Sequence, residues 1–145
     1  MSNPLLQITG EVEQPIELSF DELCSFPEED QQRDVSRFNP QRQGDGLTLL
    51  SVLNRAKPKL TATHVTLHGT LDGFSASVPL KDVEQIGILI YRSNGKPLSA
   101  EAGGPIRFLI PNSAPCKTSE LDACANVKYV DHIELTAGKG RDSRS

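Results

Sequence analysis

The sequence lacks tryptophan, has two tyrosines and five phenylalanines, and carries more acidic residues (19) than basic ones (15). Proteins that bind single-stranded nucleic acid stack bases on aromatic rings, and proteins that hold a phosphate backbone are rich in positive charge. Here aromatic residues make up 5% of the chain, the net charge is -4 and the pI is about 5.3. We therefore expect no nucleic acid partner.

Long apolar runs are also missing. No stretch approaches the roughly 20 apolar residues that a membrane-spanning helix needs. The opening residues, MSNPLLQITG, do not show the basic flank and apolar stretch of a secretory signal. The sequence predicts no membrane partner, and the cytoplasm is the expected compartment.

The three cysteines, Cys24, Cys116 and Cys124, are an odd number and make a poor disulfide framework. Cys116 and Cys124 lack the close spacing of structural zinc ligands. The pattern favours buried or incidental thiols, and whether Cys116 and Cys124 pair stays open.

Motifs of hydrolytic or metal chemistry are likewise missing from the sequence. It contains no glycine-rich phosphate loop, nucleophile elbow or paired-histidine helix motif. His64 and His68 would share the polar face of one strand, but two residues do not make a metal site, and surface histidines are the favoured interpretation. We predict no catalytic residue and no metal ligand from residue pattern alone.

What the chain does contain is the composition of a single globular domain. Its 145 residues are 37% hydrophobic and 23% charged. Short apolar segments punctuated by glycine and proline predict an α+β domain over residues 5–135, with mixed strands and two or three short helices. Residues 136–145 have no apolar side chain larger than that of Ala137 and are predicted to be a disordered tail.

The individual elements follow from local patterns. Ser19 and Glu22 form a capping box that predicts a short first helix ended by Pro27. The polar region 31–46 holds at most one strand, near residues 34–38. Strands are predicted at 5–9, 15–19, 64–68, 74–78, 87–91, 106–110 and 127–135, with further helices at 47–53 and 80–86.

Arg107 stands out because it interrupts an apolar strand directly after Gly103, Gly104 and Pro105. Glycines let a backbone approach a ligand and expose amide donors, and an arginine fork beside them suits a phosphate. The alternative is that Arg107 pairs with a carboxylate at a sheet edge. The residue pattern favours neither interpretation, and Lys128 raises the same question more weakly.

Five segments follow one another in an order with a known counterpart. They are LQITGEVEQPIELSFDEL, GDGLTLLSVLNRA, VTLHGTLDGFSASVPLKD, ILIYRSNGKPLSAEAGGPIRFLIP and NVKYVDHIEL. In this order, from about residue 5 to residue 135, the chain resembles the molybdopterin-binding domain of the sulfite oxidase family. The resemblance implies a mixed α+β fold and molybdenum held by a pterin dithiolene and one cysteine thiolate. It further implies oxygen-atom transfer, with electrons passed to a haem partner or another carrier.

Carried over residue by residue, the resemblance implies that Gly103, Gly104, Arg107 and Lys128 hold the phosphate of molybdopterin. The cysteine ligand is expected within residues 34–40, where the sequence has none. Ser36 is the nearest small polar residue there, and a hydroxyl is a poorer ligand for a soft metal than a thiolate.

Two functions therefore stay open at this stage. One is a molybdopterin-binding oxidoreductase-like domain with atypical redox chemistry, and with an electron-transfer or other protein partner. The alternative is a degenerate, non-catalytic binding or interaction module that has the same fold and no cofactor.

Overall fold

The fold consists of two β-sheets and short helices, seen in a computed structural model that describes residues 4–111 and 122–144. The strands in these ranges are β1 (Pro4–Gly10), β2 (Ile16–Ser19), β3 (Gln31–Gln32), β4 (Asp45–Thr48), β5 (His64–Gly69), β6 (Phe74–Pro79), β7 (Ile88–Ser93), β8 (Lys96–Pro97), β9 (Arg107–Leu109) and β10 (Val130–Thr136). The helices are α1 (Phe20–Cys24), α2 (Leu49–Ala56) and α3 (Leu80–Val83), with 3-10 turns at Glu28–Asp30, Val35–Arg37, Ala100–Ala102 and Ala123–Ala125.

The first sheet has the order β2-β1-β10-β5-β6, and the second has the order β3-β4-β7-β8, with β9 also paired to β7. β1 and β10 run parallel, whereas the other pairs in both sheets are antiparallel. One mixed sheet, one antiparallel sheet and three short helices in the described ranges confirm the predicted α+β class. No helix in the described ranges is long and apolar enough to cross a membrane.

β7 is apolar over most of its length because both of its faces are buried. Leu89 and Tyr91 belong to the main core, which also contains residues of the first sheet. Ile88 and Ile90 point the other way, into a smaller cluster. Arg107 is the register partner of Ile90. This pairing puts Arg107 beside the smaller cluster, which explains how a guanidinium is accommodated in a largely apolar strand.

Two helices begin where their side chains predict. The Ser19 hydroxyl accepts from the amide of Glu22 and the Glu22 carboxylate accepts from the amide of Ser19, so the predicted capping box is present. Thr48 caps α2 by accepting from the amide of Ser51 at 3.4 Å. The predicted helix at 47–53 is shifted in the structure, because Leu47 pairs with Leu89 as part of β4.

Other boundaries differ from the sequence prediction. Residues 34–38 do not form a strand, since Asp34 adopts a left-handed conformation (φ 52°) and its carboxylate accepts from the amide of Ser36, which starts a 3-10 turn. The third helix ends at Val83 rather than at residue 86. The last strand begins at Val130, because Tyr129 has φ 62°, outside the extended region.

The tail also differs from its prediction. β10 extends through Thr136, and residues 137–144, here called the edge segment, run beside β6, the last strand of the first sheet. The amide of Ser143 donates to the carbonyl of Ser75 at 2.7 Å, and the amide of Gly140 donates to the hydroxyl of Ser77 at 2.9 Å. Polar side chains and amides thus cover an exposed strand edge. Amino-acid composition alone does not predict that the edge segment is ordered, because the contacts that hold it are polar.

Candidate functional site

Arg107 has donors that the described part of the protein does not use. The side chain is partly buried, and Nη1 donates to the carbonyl of Ala102 at 3.3 Å. Nε is buried without a hydrogen-bond partner. No carboxylate in the described ranges forms an ion pair with Arg107. Burial, and secondarily the positive charge of Arg42, lower its pKa below the usual value. The sheet-edge salt bridge, one of the two sequence interpretations, is therefore not found in these ranges.

Gly103 leaves room for the Arg107 side chain. It has φ 97°, and a Cβ built on it would lie 3.0 Å from Cδ of Arg107 and 3.2 Å from Cβ of Lys128. The amide of Tyr129 donates to the carbonyl of Gly103 at 2.7 Å, which fixes the two segments side by side. The structure thus brings Gly103, Arg107 and Lys128 together.

Gly104 is needed for backbone packing. A Cβ at this position would lie 2.0 Å from the carbonyl oxygen of Leu98, a contact that the fold cannot accommodate. The amide of Gly104 donates to the carbonyl of Ser99 at 2.7 Å, and the amide of Gly103 donates to the carbonyl of Ala100 at 3.0 Å. Both amides are already bonded within the protein. The two glycines therefore contribute space, and not the exposed amide donors that the sequence suggested.

Arg42 joins this site, and sequence reasoning missed it. Arg42 and Arg107 line two adjoining cavities, which we call the inner cavity (about 210 Å³) and the outer cavity (about 290 Å³). The inner cavity is also lined by Gln41, Gln43, Ile90, Ser93, Leu98 and Ala102. The outer cavity is also lined by Asp72, Phe74, Cys124, Asn126, Val127 and Lys128. Among the described residues no carboxylate is ion-paired with Arg42 either.

No local signal marks Arg42 in a polar loop of the sequence. The residue precedes β4, whereas Arg107 opens β9, and both strands pair with β7. Only the order of strands in the sheet brings the two arginines to the same cavities. Among the described residues that line these two cavities, two guanidinium groups and an exposed ammonium outnumber one carboxylate, that of Asp72, and this balance favours a phosphate.

A third cavity continues from the inner one toward the segment expected to hold a metal ligand. This polar cavity (about 460 Å³) shares Gln43 and Ser93 with the inner cavity and is also lined by Asp34 and Ser36. The Ser36 hydroxyl donates to the Asp34 carboxylate. No group of three or more His, Cys, Asp or Glu side chains in the described ranges could hold a metal ion.

The cysteines do not replace the missing ligand in the described ranges. Cys24 is a free thiol outside the three cavities; its Sγ accepts from Nη1 of Arg92 at 3.7 Å, and burial raises its pKa. Cys124 lines the outer cavity but is disulfide-bonded, unlike the thiol expected from the sequence. Cys116 lies outside the described residues.

The histidines form a different pair from the one the sequence suggested. His68 stacks on His132, with ring centroids 4.9 Å apart, while His64 bonds to Thr63. Nε2 of His68 lies 3.1 Å from Oε1 of Glu134. The pair belongs to the first sheet, and neither ring lines the three cavities.

Comparison with known proteins identifies the family. Residues 43–143 match the model of the oxidoreductase molybdopterin binding domain. The chain belongs to this family. This confirms the sequence identification of a molybdopterin-binding, oxidoreductase-like domain.

Two known proteins illustrate the relationship. The chain is 32% identical over 114 residues to the uncharacterized oxidoreductase YuiH of Bacillus subtilis (strain 168), covering 74% of this chain and 56% of YuiH. It thus spans about half the length of that curated relative. It also shares its fold with the sulfane dehydrogenase SoxCD of Paracoccus pantotrophus, at a TM-score of 0.66 and 21% identity. That match covers 92% of this chain and 38% of the SoxCD chain.

Proposed function

We propose that this domain binds the phosphate of a molybdopterin cofactor between Arg107 and Arg42, with Lys128 at the outer rim. The observation that carries the proposal is the buried, unpartnered Nε of Arg107. A partly buried guanidinium without an anion costs stability, and a bound phosphate oxygen would satisfy the unused donors. A planar guanidinium also matches the geometry of a phosphate better than an ammonium does.

The residues present fit the phosphate end of the cofactor. The space that a Cβ on Gly103 would fill lies against the Arg107 side chain, and the two arginines border both cavities. In this chain Arg107 and Arg42 would bind and orient the phosphate, and Gly103 would keep the approach open. Gly104 takes part only by supporting the backbone.

The residues present do not fit the metal end. In the family that the chain resembles, the cofactor supplies oxygen-atom transfer at molybdenum, and a cysteine thiolate completes the metal site. Residues 34–40 contain no cysteine. Ser36 borders the polar cavity, with its hydroxyl bonded to Asp34. We infer a role in binding and orienting the pterin, and assign no redox step to these residues.

A protein partner belongs to the same proposal. An oxidoreductase domain that lacks part of the metal site needs another protein, or another part of its own, to complete or use the cofactor. A partner that transfers electrons suits the family.

The test is to purify the protein from a molybdenum-replete host and measure its metal by mass spectrometry and its pterin by fluorescence after oxidation. We expect pterin near one per chain. Arg107→Met should reduce retained pterin about tenfold or more, because a hydrogen bond to a charged group contributes about 1.5–3 kcal/mol. Arg55→Met is the matched control, since Arg55 is exposed on α2, packs over Phe26 and lines none of the three cavities.

Each outcome has a separate meaning. Background pterin in the wild-type protein would contradict cofactor binding and favour the non-catalytic module. Equal retention in wild type and Arg107→Met would show that Arg107 is a structural residue. Pterin retained without molybdenum would support the interpretation that this chain binds the organic part of the cofactor and lacks the thiolate.

A further inference from the structure

A buried ion cluster connects the edge segment to residues 122–128, here called the wall of the outer cavity. Nη1 of Arg144 donates to Oδ1 of Asp122 at 3.0 Å, and Nη2 donates to Oδ2 of Asp142 at 2.6 Å. The three side chains are 10%, 4% and 7% exposed, respectively. Buried and multiply hydrogen-bonded charges hold a fixed geometry, and removing Arg144 would take away a positive partner from both carboxylates in a poorly solvated site. Arg144 is therefore an anchor between two distant parts of the chain.

Asp122 is the first residue of the described part of the wall. Its Oδ1 accepts from the amide of Ala125 at 3.2 Å, and its carbonyl accepts from the same amide at 3.0 Å. Asp122 therefore fixes the 3-10 turn Ala123–Ala125. The residues after that turn include Asn126, Val127 and Lys128, which line the outer cavity together with Arg107.

The other attachments of the wall include the disulfide of Cys124 and hydrogen bonds to the candidate site itself. Oδ1 of Asn126 accepts from the amide of Ile110 at 2.7 Å, and the carbonyl of Val127 accepts from the amide of Phe108 at 2.8 Å. Farther along, the amide of Tyr129 donates to the carbonyl of Gly103. Arg144 thus holds the first residue of the wall, the disulfide holds Cys124, and the strand that carries Arg107 holds Asn126 and Val127.

The residue directly after the wall has an unfavourable backbone conformation. Tyr129 has φ 62°, a region that a bulky side chain adopts only when its surroundings enforce it. Because an unfavourable conformation needs support, loosening one attachment should displace the wall. Lys128, immediately before Tyr129, would move with it.

We propose that Arg144 is a positioning residue for the anion site: through Asp122 it holds residues 122–128 against Arg107 and so sets the affinity of the outer cavity for a phosphate group. This inference rests on the proposed phosphate binding. Arg144 itself lines neither the inner nor the outer cavity. Burial alone would raise the pKa of Asp142, but hydrogen bonds from the side chain and amide of Arg144 and from the amide of Ser77 hold it at about 2, so this carboxyl stays ionised over the ordinary pH range.

The test uses the whole chain, with inorganic phosphate as the probe. The dissociation constant is measured by titration while the side-chain Nε–H resonance of Arg107 is followed by NMR. Arg144→Met should weaken phosphate binding about fivefold or more, within the usual range of coupling between sites. Asp122→Asn, which nearly preserves shape, should weaken it similarly. Arg141→Met is the matched control, because Arg141 is exposed in the same edge segment, and its affinity should equal that of the wild type.

Further measurements separate positioning from loss of stability. Titrations are run at a temperature where every variant is folded, and hydrogen exchange should accelerate at the amides of Ala125 and Tyr129 but not in β1. Combined with Lys128→Met, Arg144→Met should have a smaller effect than it has alone, because both changes act through the same wall. Arg144→Lys, which keeps the charge, should restore part of the affinity.

The results distinguish the positioning role of Arg144 from the proposed phosphate binding on which it rests. Unchanged phosphate affinity in folded Arg144→Met and Asp122→Asn would overturn the positioning role while leaving phosphate binding at Arg107 intact. If wild type and Arg107→Met bind phosphate equally, or neither binds it, both the proposed function and this inference fail.

Discussion

His68 and His132 are direct partners across β5 and β10, and their imidazole rings stack at a centroid distance of 4.9 Å and an angle of 19°. Nε2 of His132 lies 2.6 Å from the hydroxyl of Thr9, so the pair is tied to a third strand. Burial, and then the proximity of His68, lower the pKa of His132 below its usual value. Glu134 and Asp131 act in the opposite direction but do not reverse the shift.

The pair of His68 and His132 predicts that the folded protein loses stability as the pH falls. Because the folded-state pKa of His132 is depressed, the unfolded chain takes up a proton first as the pH falls. The free energy of unfolding should therefore decrease as the pH falls below the ordinary histidine value of about 6.5 and through the folded-state pKa. Urea denaturation at pH 7 and pH 5 measures the change.

Substitution identifies the contribution of His132. His132→Gln should reduce the loss of stability between the two pH values, whereas His64→Gln, outside the stack, should leave that loss unchanged. Equal acid sensitivity in wild type and His132→Gln would show that other groups are responsible.

We expect Arg107 to lower the stability of the ligand-free protein while it contributes to phosphate binding. Because its Nε has no partner and no described carboxylate pairs with it, Arg107→Met should raise the free energy of unfolding by about 1 kcal/mol. Arg92→Met is the contrasting variant: the Nε of Arg92 is also buried without a partner, but its Nη2 donates to the carboxylate of Asp45 at 3.2 Å. It should lower the free energy of unfolding by about 2 kcal/mol. Chemical denaturation without phosphate makes the comparison, and marked destabilisation by Arg107→Met would contradict the unsatisfied state of this side chain.

Gly103 predicts an effect on binding that is separable from backbone strain. Gly103 and Gly138 have nearly the same φ, 97° and 99°, but a Cβ on Gly138 would meet nothing within 4 Å. Both alanine variants should lose about 1–2 kcal/mol of stability because of the backbone conformation. Only Gly103→Ala should also weaken phosphate binding, because its new methyl group presses on Arg107. Equal phosphate affinity in the two variants would remove Gly103 from the site.

Structural features formed by residues close in sequence could be predicted from the sequence, whereas features formed by distant residues could not. The capping box of Ser19 and Glu22 was predictable because both partners lie within one turn. The family and most strands were recognisable from apolar segments and their order. The role of Arg42 in the candidate site could not be recognised from the sequence, because its proximity to Arg107 arises from two strands that flank β7. The ordered edge segment was missed because Arg144 finds its partner Asp122 across 22 positions of the chain.

The adjacent glycines Gly103 and Gly104 carry different constraints, and this gives a way to interpret the history of related domains. A side chain at position 104 would clash with the carbonyl of Leu98, so any descendant that retains the fold must retain Gly104. A Cβ at Gly103 would crowd Arg107 and Lys128, the side chains that we propose bind the ligand. A lineage that abandons the cofactor can lose Gly103 together with Arg107 and still retain Gly104. Substitution patterns at these neighbouring positions would thus separate selection for the ligand from selection for the fold.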